Sequence, residues 1–432
     1  MNFSFYIARR VAASGQRSLS RLILRIAVVA VSLSVAVMIS ASALISGFKQ
    51  EISGKIFGFW GHIHITDPNL SRSLIEAYPI SKKQDFYPSL DTLRSVTYVQ
   101  RGANWLGRPY ERAAVTRGGV RHIQVFAVKP GIIKAKNEIE GIILKGIGPD
   151  FDWSFLRQYI TEGDVIQLPD SSLSRDILLS RQTADRLRVS VGDKFDIHFV
   201  ERGQQIKRRF TVSGIYKTGL DEYDRKFALV DIRQIQSLLN WTPEQVSGFE
   251  VFVDNLDDLS AISEYIYYEQ LPTNLYAETI REKIPEIFEW LDLQNINEAV
   301  ILSLMIIVAI INMITALLIL ILERTNMIGI LKALGTSNWR IRSVFLYYAA
   351  YIVLTGLLFG NLLGLGFCWL QDTFEFIRLD EANYYLSVAP IAINWWWVLA
   401  LNAGTLGITL VFLILPSYLV SRVDPVKAIR FS

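Results

Sequence analysis

The chain has 432 residues, 51% of them hydrophobic, with 44 Lys and Arg against 41 Asp and Glu for a net charge of +3. That excess does not argue for nucleic acid, because the unbalanced Arg and Lys flank apolar segments, where anionic lipid headgroups account for them. The one cysteine, Cys368, excludes an intramolecular disulfide, so any external domain must be stable through its own core.

Residues 1–25 mix Phe3, Phe5, Tyr6, Ile7 and Val11 with Arg9, Arg10, Arg17, Arg21 and Arg25, which predicts a cytoplasmic amphipathic segment at the membrane surface. Ile26–Ile45 is the first of four long apolar runs; Ala299–Leu322, Val344–Leu370 and Ile391–Leu415 are the others. At about 1.5 Å per residue each can cross roughly 30 Å of hydrocarbon. The first run lacks a convincing small-residue cleavage site and continues into Gly47-Phe48-Lys49-Gln50-Glu51. It therefore reads as a retained span over 26–46, extending as a stalk to about residue 57.

Residues 58–280 are expected to form an α+β domain, in two lobes. His62-Ile63-His64-Ile65-Thr66 alternates as a strand does. Its two histidines share a face, but no third Cys or His ligand lies nearby, and only His122 and His198 remain, so no metal is expected. Further on, Asp176–Ser180 and Lys194–Val200 read as strands, with Arg181–Arg188 a helix between them and Val191-Gly192-Asp193 the turn back. Arg208–Tyr216 is another strand, Asp231 caps a helix over Ile232–Leu239, and Gly248–Asp254 is extended. Asp257–Gln270 reads as a helix and Leu275–Ala277 as a short strand. Ile284, Ile287, Phe288, Leu291 and Ile296 recur at helical spacing, which predicts one helix over Ile280–Asn297 with Pro285 in its first turn. That helix would run into the second span, giving a stalk and span over 281–322.

The turn at 323–343 is more patterned than a simple loop. Met327, Ile328, Ile330, Leu331 and Leu334 make an apolar side, Gly335 stops the helix, and Ser337 can cap the next one. A device that receives force and a plain surface connector both fit this pattern. The third span (344–370), a short acidic loop (371–390), the fourth span (391–415) and a basic tail (416–432) follow. The turn carries Arg324, Lys332, Arg340 and Arg342 against Glu323, and the tail carries Arg422, Lys427 and Arg430 against Asp424. The 371–390 loop reverses the sign, with Asp372, Glu375, Asp380 and Glu381 against Arg378. The positive-inside bias then places both termini and the turn in the cytoplasm and the large domain outside. No G-x-x-x-x-G-K-[ST] phosphate loop is present.

Several stretches together carry a resemblance to a known family. They are Arg9-Arg10 and Gly47-Phe48 around the first span, Ile177-Leu178-Leu179-Ser180, and Leu187 through Lys194 (LRVSVGDK). Phe210 through Asp224 (FTVSGIYKTGLDEYD), the ERTNMIGILKALG run, and the tail Leu415-Pro416-Ser417-Tyr418 with Ser421 through Arg430 (SRVDPVKAIR) complete the set. The chain resembles the FtsX-like ABC transporter permeases, most closely the lipoprotein-releasing LolC/LolE branch. The resemblance implies a membrane protein of four transmembrane helices with a large α+β periplasmic domain inserted between helices 1 and 2, a type VII ABC transporter permease. It further implies a bacterial inner-membrane location.

By the same resemblance the turn is a coupling helix that docks on a cytoplasmic ABC ATPase through Glu323, Arg324, Met327, Ile330, Leu331, Lys332, Leu334 and Gly335. ATP and Mg would bind that partner, leaving no cofactor on this chain and no catalysis by it. A second permease copy or a sister permease, a lipoprotein substrate and a periplasmic lipoprotein carrier are the other implied partners. A substrate cavity between the first and second spans would involve Ser40, Leu44, Phe48, Trp290, Ile301, Met305 and Asn312. Asn312 is expected to hydrogen-bond across helices. The small residues Ala27, Ala30, Ser32, Ser34, Ala36, Ser40, Ala41, Ser42 and Ala43 permit either close helix packing or room for acyl chains. The implied function is ATP-driven, mechanically coupled extraction of lipoproteins from the outer leaflet. The alternatives are a signalling permease that controls cell-wall hydrolases and a mechanotransmission exporter subunit.

Overall fold

The structure, a computed structural model, describes residues 19–72, 78–103, 107–135, 138–169, 172–201 and 203–422. The surface segment expected before the first span and the end of the tail therefore lie largely outside the described residues. The chain divides into two compact units, one holding residues 1–51, 289–379 and 388–432, the other 52–288 and 380–387.

The first unit is helical. Its elements are α1 (Leu19–Trp60, which ends in the second unit), α2 (Pro285–Glu323, which begins there), α3 (Thr325–Ala333), α4 (Asn338–Phe374) and α5 (Trp395–Ser417). All but α3 are long and apolar enough to cross a membrane. Two of these helices begin later than the sequence pattern suggests. The α5 helix starts at Trp395 because the Asn394 side chain accepts hydrogen bonds from the backbone of Trp396 and Trp397. The single helix expected over Ile280–Asn297 is broken in two. Ile280–Lys283 forms one turn, closed by a Thr279/Glu282 capping box, and Ile284 then leaves helical geometry at φ −131°, ψ 63°. Pro285 is the reason: its ring disfavours helical backbone in the residue before it, so a new helix begins at the proline itself.

The helices bury one apolar core. Val31, Val35, Met38 and Ile39 of α1 meet Met313, Leu317 and Leu320 of α2, Ile341, Phe345, Ala349 and Val353 of α4, and Leu413 of α5. The α1 helix comes close to α4 at Gly356, Gly360 and Gly364, spaced about one helical turn apart. A Cβ at Gly360 would stand 2.7 Å from Val35 Cβ and 2.8 Å from the Ser32 carbonyl oxygen, and one at Gly364 3.1 Å from Ala36 Cα. Such repeats of small residues let helix backbones approach within a membrane.

The second unit is a mixed α+β domain. Its principal strands are β1 (Ile63–Thr66), β2 (Thr97–Ala103), β3 (Pro109–Val115), β4 (Val120–Ala135), β5 (Glu138–Ile147) and β6 (Ile160–Gly163). The remainder are β7 (Asp176–Ser180), β8 (Lys194–Glu201), β9 (Gln204–Tyr216), β10 (Phe227–Asp231), β11 (Gly248–Val253) and β12 (Tyr276–Thr279). Ten of them form one sheet in the order β12-β1-β11-β4-β5-β10-β7-β9-β6, with β8 pairing both β9 and β4. Through β8 the path β4-β5-β10-β7-β9 closes on itself as a small barrel, because β4 is long enough to pair β5 along its length and β8 at Ile132–Lys134. The β2–β3 pair forms a separate two-stranded sheet.

Local chemistry explains the elements the sequence predicts here. Ser180 caps Arg181–Leu187 by accepting from Thr183 N, and Arg188 ends that helix in left-handed backbone at φ 52°. Asp231 caps Ile232–Leu239 as expected, accepting from Arg233 N. The helix expected over Asp257–Gln270 is irregular, with a tight turn at Leu256–Asp258, an α-helix at Leu259–Tyr265 and a wide turn at Ile266–Gln270.

Candidate functional site

The α2–α3–α4 turn is built by three local features. Thr325 Oγ1 bonds the Leu322 carbonyl at 2.6 Å where α2 ends, Gly335 takes φ 81° to stop α3, and Ser337 stands in extended backbone ahead of α4. Ile328 is fully buried in the helical core, with Met327 and Leu331 partly buried against it. The apolar side read from the sequence thus splits, because Ile330 is 48% exposed and Leu334 76% exposed. Of the other residues assigned to coupling, Glu323 and Gly335 are exposed, Arg324 is half-buried, and Lys332 donates to the Ser421 carbonyl at 2.9 Å. Trp339, not among the residues assigned to coupling, extends the exposed face, and half-buried Arg342 braces it. Trp339 is 62% exposed, and the Arg342 guanidinium lies 5.6 Å from its ring and 4.7 Å from that of Tyr418.

The residues assigned to a cavity between the first two spans share one character: Ser40, Leu44, Phe48, Trp290, Ile301, Met305 and Asn312 are all half-buried. Phe48 and Trp290 meet edge to face at 5.3 Å, and Met305 packs against the helical core. The Asn312 side chain makes no hydrogen bond among the described residues. The amide contact between spans lies elsewhere. Asn361 of α4 and Asn402 of α5 exchange hydrogen bonds of 2.6 and 2.9 Å. Near the other end of α2, the Glu298 carboxylate accepts from Ser42 Oγ at 2.6 Å and from the Trp397 indole at 3.3 Å, and Lys49 donates to Asn295 at 2.5 Å. Glu298 escaped notice because it stands one place before the apolar run at Ala299.

Of the small residues on α1, Ser32 and Ala36 lie against Gly360 and Gly364 of α4, while Ser42 bonds Glu298 of α2. On its exposed side, α2 presents Leu293, Ile296, Val300, Leu304, Ile307 and Ile311 at spacings of three and four, all more than half exposed. Such a stripe is the face an amphipathic helix turns to whatever lies outside its own core.

A charged cluster is buried in the domain where α1 ends. Lys145 of β5 pairs with Glu250 of β11 at 2.7 Å and donates to the Phe59 carbonyl at 2.8 Å. Gln124 donates to the other carboxylate oxygen at 2.7 Å. His64 bonds the Trp60 carbonyl at 2.6 Å through Nε2, and Lys283 stands 3.2 Å from its Nδ1. Burial holds the His64 ring well below the usual histidine range, with Lys283 adding to the effect. Burial likewise lowers Lys283 and raises Glu250, the latter against the pull of Lys145. The cluster thus ties the last turn of α1 to residues of four strands, β1, β4, β5 and β11. Its sequence signal was present in Gly248–Val253, where Glu250 is the one charge in an otherwise apolar strand.

Residues 25–266, more than half of the chain, match the MacB-like periplasmic core domain, and residues 299–425 match the FtsX-like permease C-terminal region. This chain belongs to the FtsX/MacB-like permeases. As such it is a multi-pass ABC transporter permease with a large extracytoplasmic domain, and membership implies a partner ATPase subunit. Among its relatives, the lipoprotein-releasing system transmembrane protein LolC of Xylella fastidiosa is 22% identical over 422 residues, covering 94% of this chain and 92% of that one. LolE of Haemophilus influenzae is 23% identical over 456 residues, covering 99% of both. Among solved structures, the extracellular domain of the noncanonic ABC-type transporter YknZ from Gram-positive bacteria matches 37% of this chain and 81% of its own. The identity there is 16% and the TM-score 0.27, too low to compare the two folds strand by strand.

Proposed function

We propose that this permease is a transmembrane subunit of an ATP-driven lipoprotein-releasing complex of the type VII class. In this reading it extracts lipoproteins from the outer leaflet of the bacterial inner membrane, with both termini and the 323–343 turn in the cytoplasm. The observation that carries the reading is the similarity to LolC and LolE along nearly the whole chain, membrane helices and external domain together.

The turn would act as the coupling helix. Its exposed Ile330 and Leu334 offer an apolar contact to the ATPase, while Ile328, Met327 and Leu331 anchor it in the helical core. Displacement of α3 would then reach the spans without passing through a flexible loop. Lipoprotein acyl chains would enter along the exposed stripe of α2, beside the Phe48–Trp290 pair. No bond of the cargo is made or broken, and the work is a change of conformational state driven by nucleotide in the partner.

The test is depletion of the protein followed by proteomics of inner-membrane lipoproteins. Acylated proteins accumulating in that membrane is the expected result. Altered septal hydrolysis without accumulation would replace this reading with a signalling role.

A further inference from the structure

The chain passes between its two units four times, after residues 51, 288, 379 and 387. The first two crossings lie in α1 and near the start of α2. The other two bracket Asp380–Ser387, in the connection from α4 to α5, which belongs with the extracytoplasmic domain although both its flanks belong with the membrane helices.

This connection is closed at its base. Gln371, fully buried, accepts from Ile377 N at 2.9 Å and donates to the Ala389 carbonyl at 3.0 Å. Ala389 N bonds the Ile377 carbonyl at 3.0 Å, and Arg378 pairs with Val388 as an antiparallel bridge. Ala392 N then bonds the Ala43 carbonyl of α1 at 3.0 Å. The result is a narrow prong rather than an open loop.

Its tip is docked on the domain by charge. Glu381 pairs with Lys217, and Lys55 of α1, only 8% exposed, donates to the Tyr385 carbonyl at 3.1 Å. The floor of the dock is Gly219, at φ 81°, where a Cβ would stand 2.9 Å from Lys55 Nζ, 3.0 Å from Glu381 Oε1 and 3.1 Å from the Tyr385 oxygen. The receiving loop is itself held. The Asp224 carboxylate accepts from Thr218 N at 3.0 Å, Thr218 Oγ1 at 2.6 Å and Gly219 N at 3.2 Å. An exposed ion pair alone contributes little. Here a buried ammonium, a side-chain-free floor and a braced receiving loop converge on one tip.

We propose that Asp380–Ser387 is a third mechanical tie, carrying movement of α4 and α5 into the domain, with Lys217, Glu381 and Lys55 as its positioning residues. The proposal rests on the permease working with a partner ATPase, and it does not depend on what the cargo is.

The test uses the full-length permease purified with its ATPase, comparing Lys217→Glu, Glu381→Lys, the double swap, and the milder Glu381→Gln. Hydrogen exchange is followed with and without a non-hydrolysable ATP analogue. The expected result is a nucleotide-dependent change at residues 217–224 in the wild type, reduced roughly fivefold or more in the single reversals, partly in Glu381→Gln, and restored in the double swap. Exchange in Asp176–Ser180, a core strand, reports that each variant is folded. Single reversals that are folded and keep the full nucleotide response overturn the proposal, as does a wild-type domain with no such response. A complex that responds to nucleotide at 217–224 but releases no lipoprotein would sink the assigned cargo and leave the tie standing.

Discussion

Lys145 Nζ lies 2.7 Å from Glu250 Oε1, and neither side chain is more than 1% exposed. A buried ion pair is a weak source of net stability, but an orphaned partner is costly. Lys145→Met and Glu250→Leu should therefore each destabilise the domain by about 3–5 kcal/mol. The double variant should recover most of that loss, because no buried charge remains. Thermal unfolding of the purified chain checks this, and losses that simply add in the double variant would show that the pair is not coupled.

Stability should fall on the acid side. Burial, aided by Arg121, lowers the His62 ring to about 4, and its Nδ1 accepts from Val253 N at 2.8 Å. The folded domain keeps this ring neutral while the unfolded chain protonates it, so its contribution is complete above the ordinary histidine value and is lost as pH falls towards 4. Replacement by Asn, which can still accept from Val253, should remove about 2 kcal/mol of acid sensitivity near pH 5.

Asp224 works in the opposite direction. Burial raises its carboxyl to about 6, with the bonds from Thr218 and Gly219 opposing. Its contribution is greatest below the unfolded value and declines as pH rises through about 6. Asp224→Asn should gain on the wild type by at most about 3 kcal/mol between pH 4 and 7, read as diverging melting temperatures. Parallel curves across that window would refute the assignment.

At the turn, exposure separates contact from anchor. Ile330→Asp and Leu334→Asp should weaken capture of the ATPase subunit at least tenfold, about 1.4 kcal/mol, while leaving the permease folded. Ile328→Asp should instead destabilise the helical unit, since it places a charge in the core. Undiminished co-purification with both surface variants would count against the turn as the docking element.

Where local chemistry decides an element, the sequence reveals it. Ser180, Asp231 and Gly335 mark helix ends because each acts through its own backbone neighbourhood. The break at Ile284 was legible too, since Pro285 dictates it, but helical spacing on both sides masked it. Relationships across the chain were not legible. Nothing near Lys145 points to Glu250, and nothing in β8 announces that it pairs with β4 as well as β9. Asn312 and Asn361 look alike as single amides in apolar runs, yet among the described residues only Asn361 has a partner, Asn402 of α5, far away in the sequence. The prong tip escaped for the same reason: its acids read as a sign for orientation, and the lysine that receives Glu381 lies in a different domain of the sequence.

The α1–α4 contact gives a direct packing test. Gly360→Leu should cost about 1–3 kcal/mol by overpacking against Val35 and Ser32. Gly366→Leu, six residues further along the same helix and with nothing within 4 Å of its Cβ, should be nearly neutral. Equal losses at both positions would mean that the close approach is not what the glycines serve.

With the smooth flank of α1 facing α4, the residues turned outward are branched and bulky: Leu22, Ile26, Val29 and Leu33 on α1, and the leucine, isoleucine and valine stripe on α2. A visiting hydrocarbon chain would meet mostly branched aliphatic side chains there. Contact of that kind is greasy and shallow, each methyl giving only a small dispersion gain. It suits a surface that must release what it has just received.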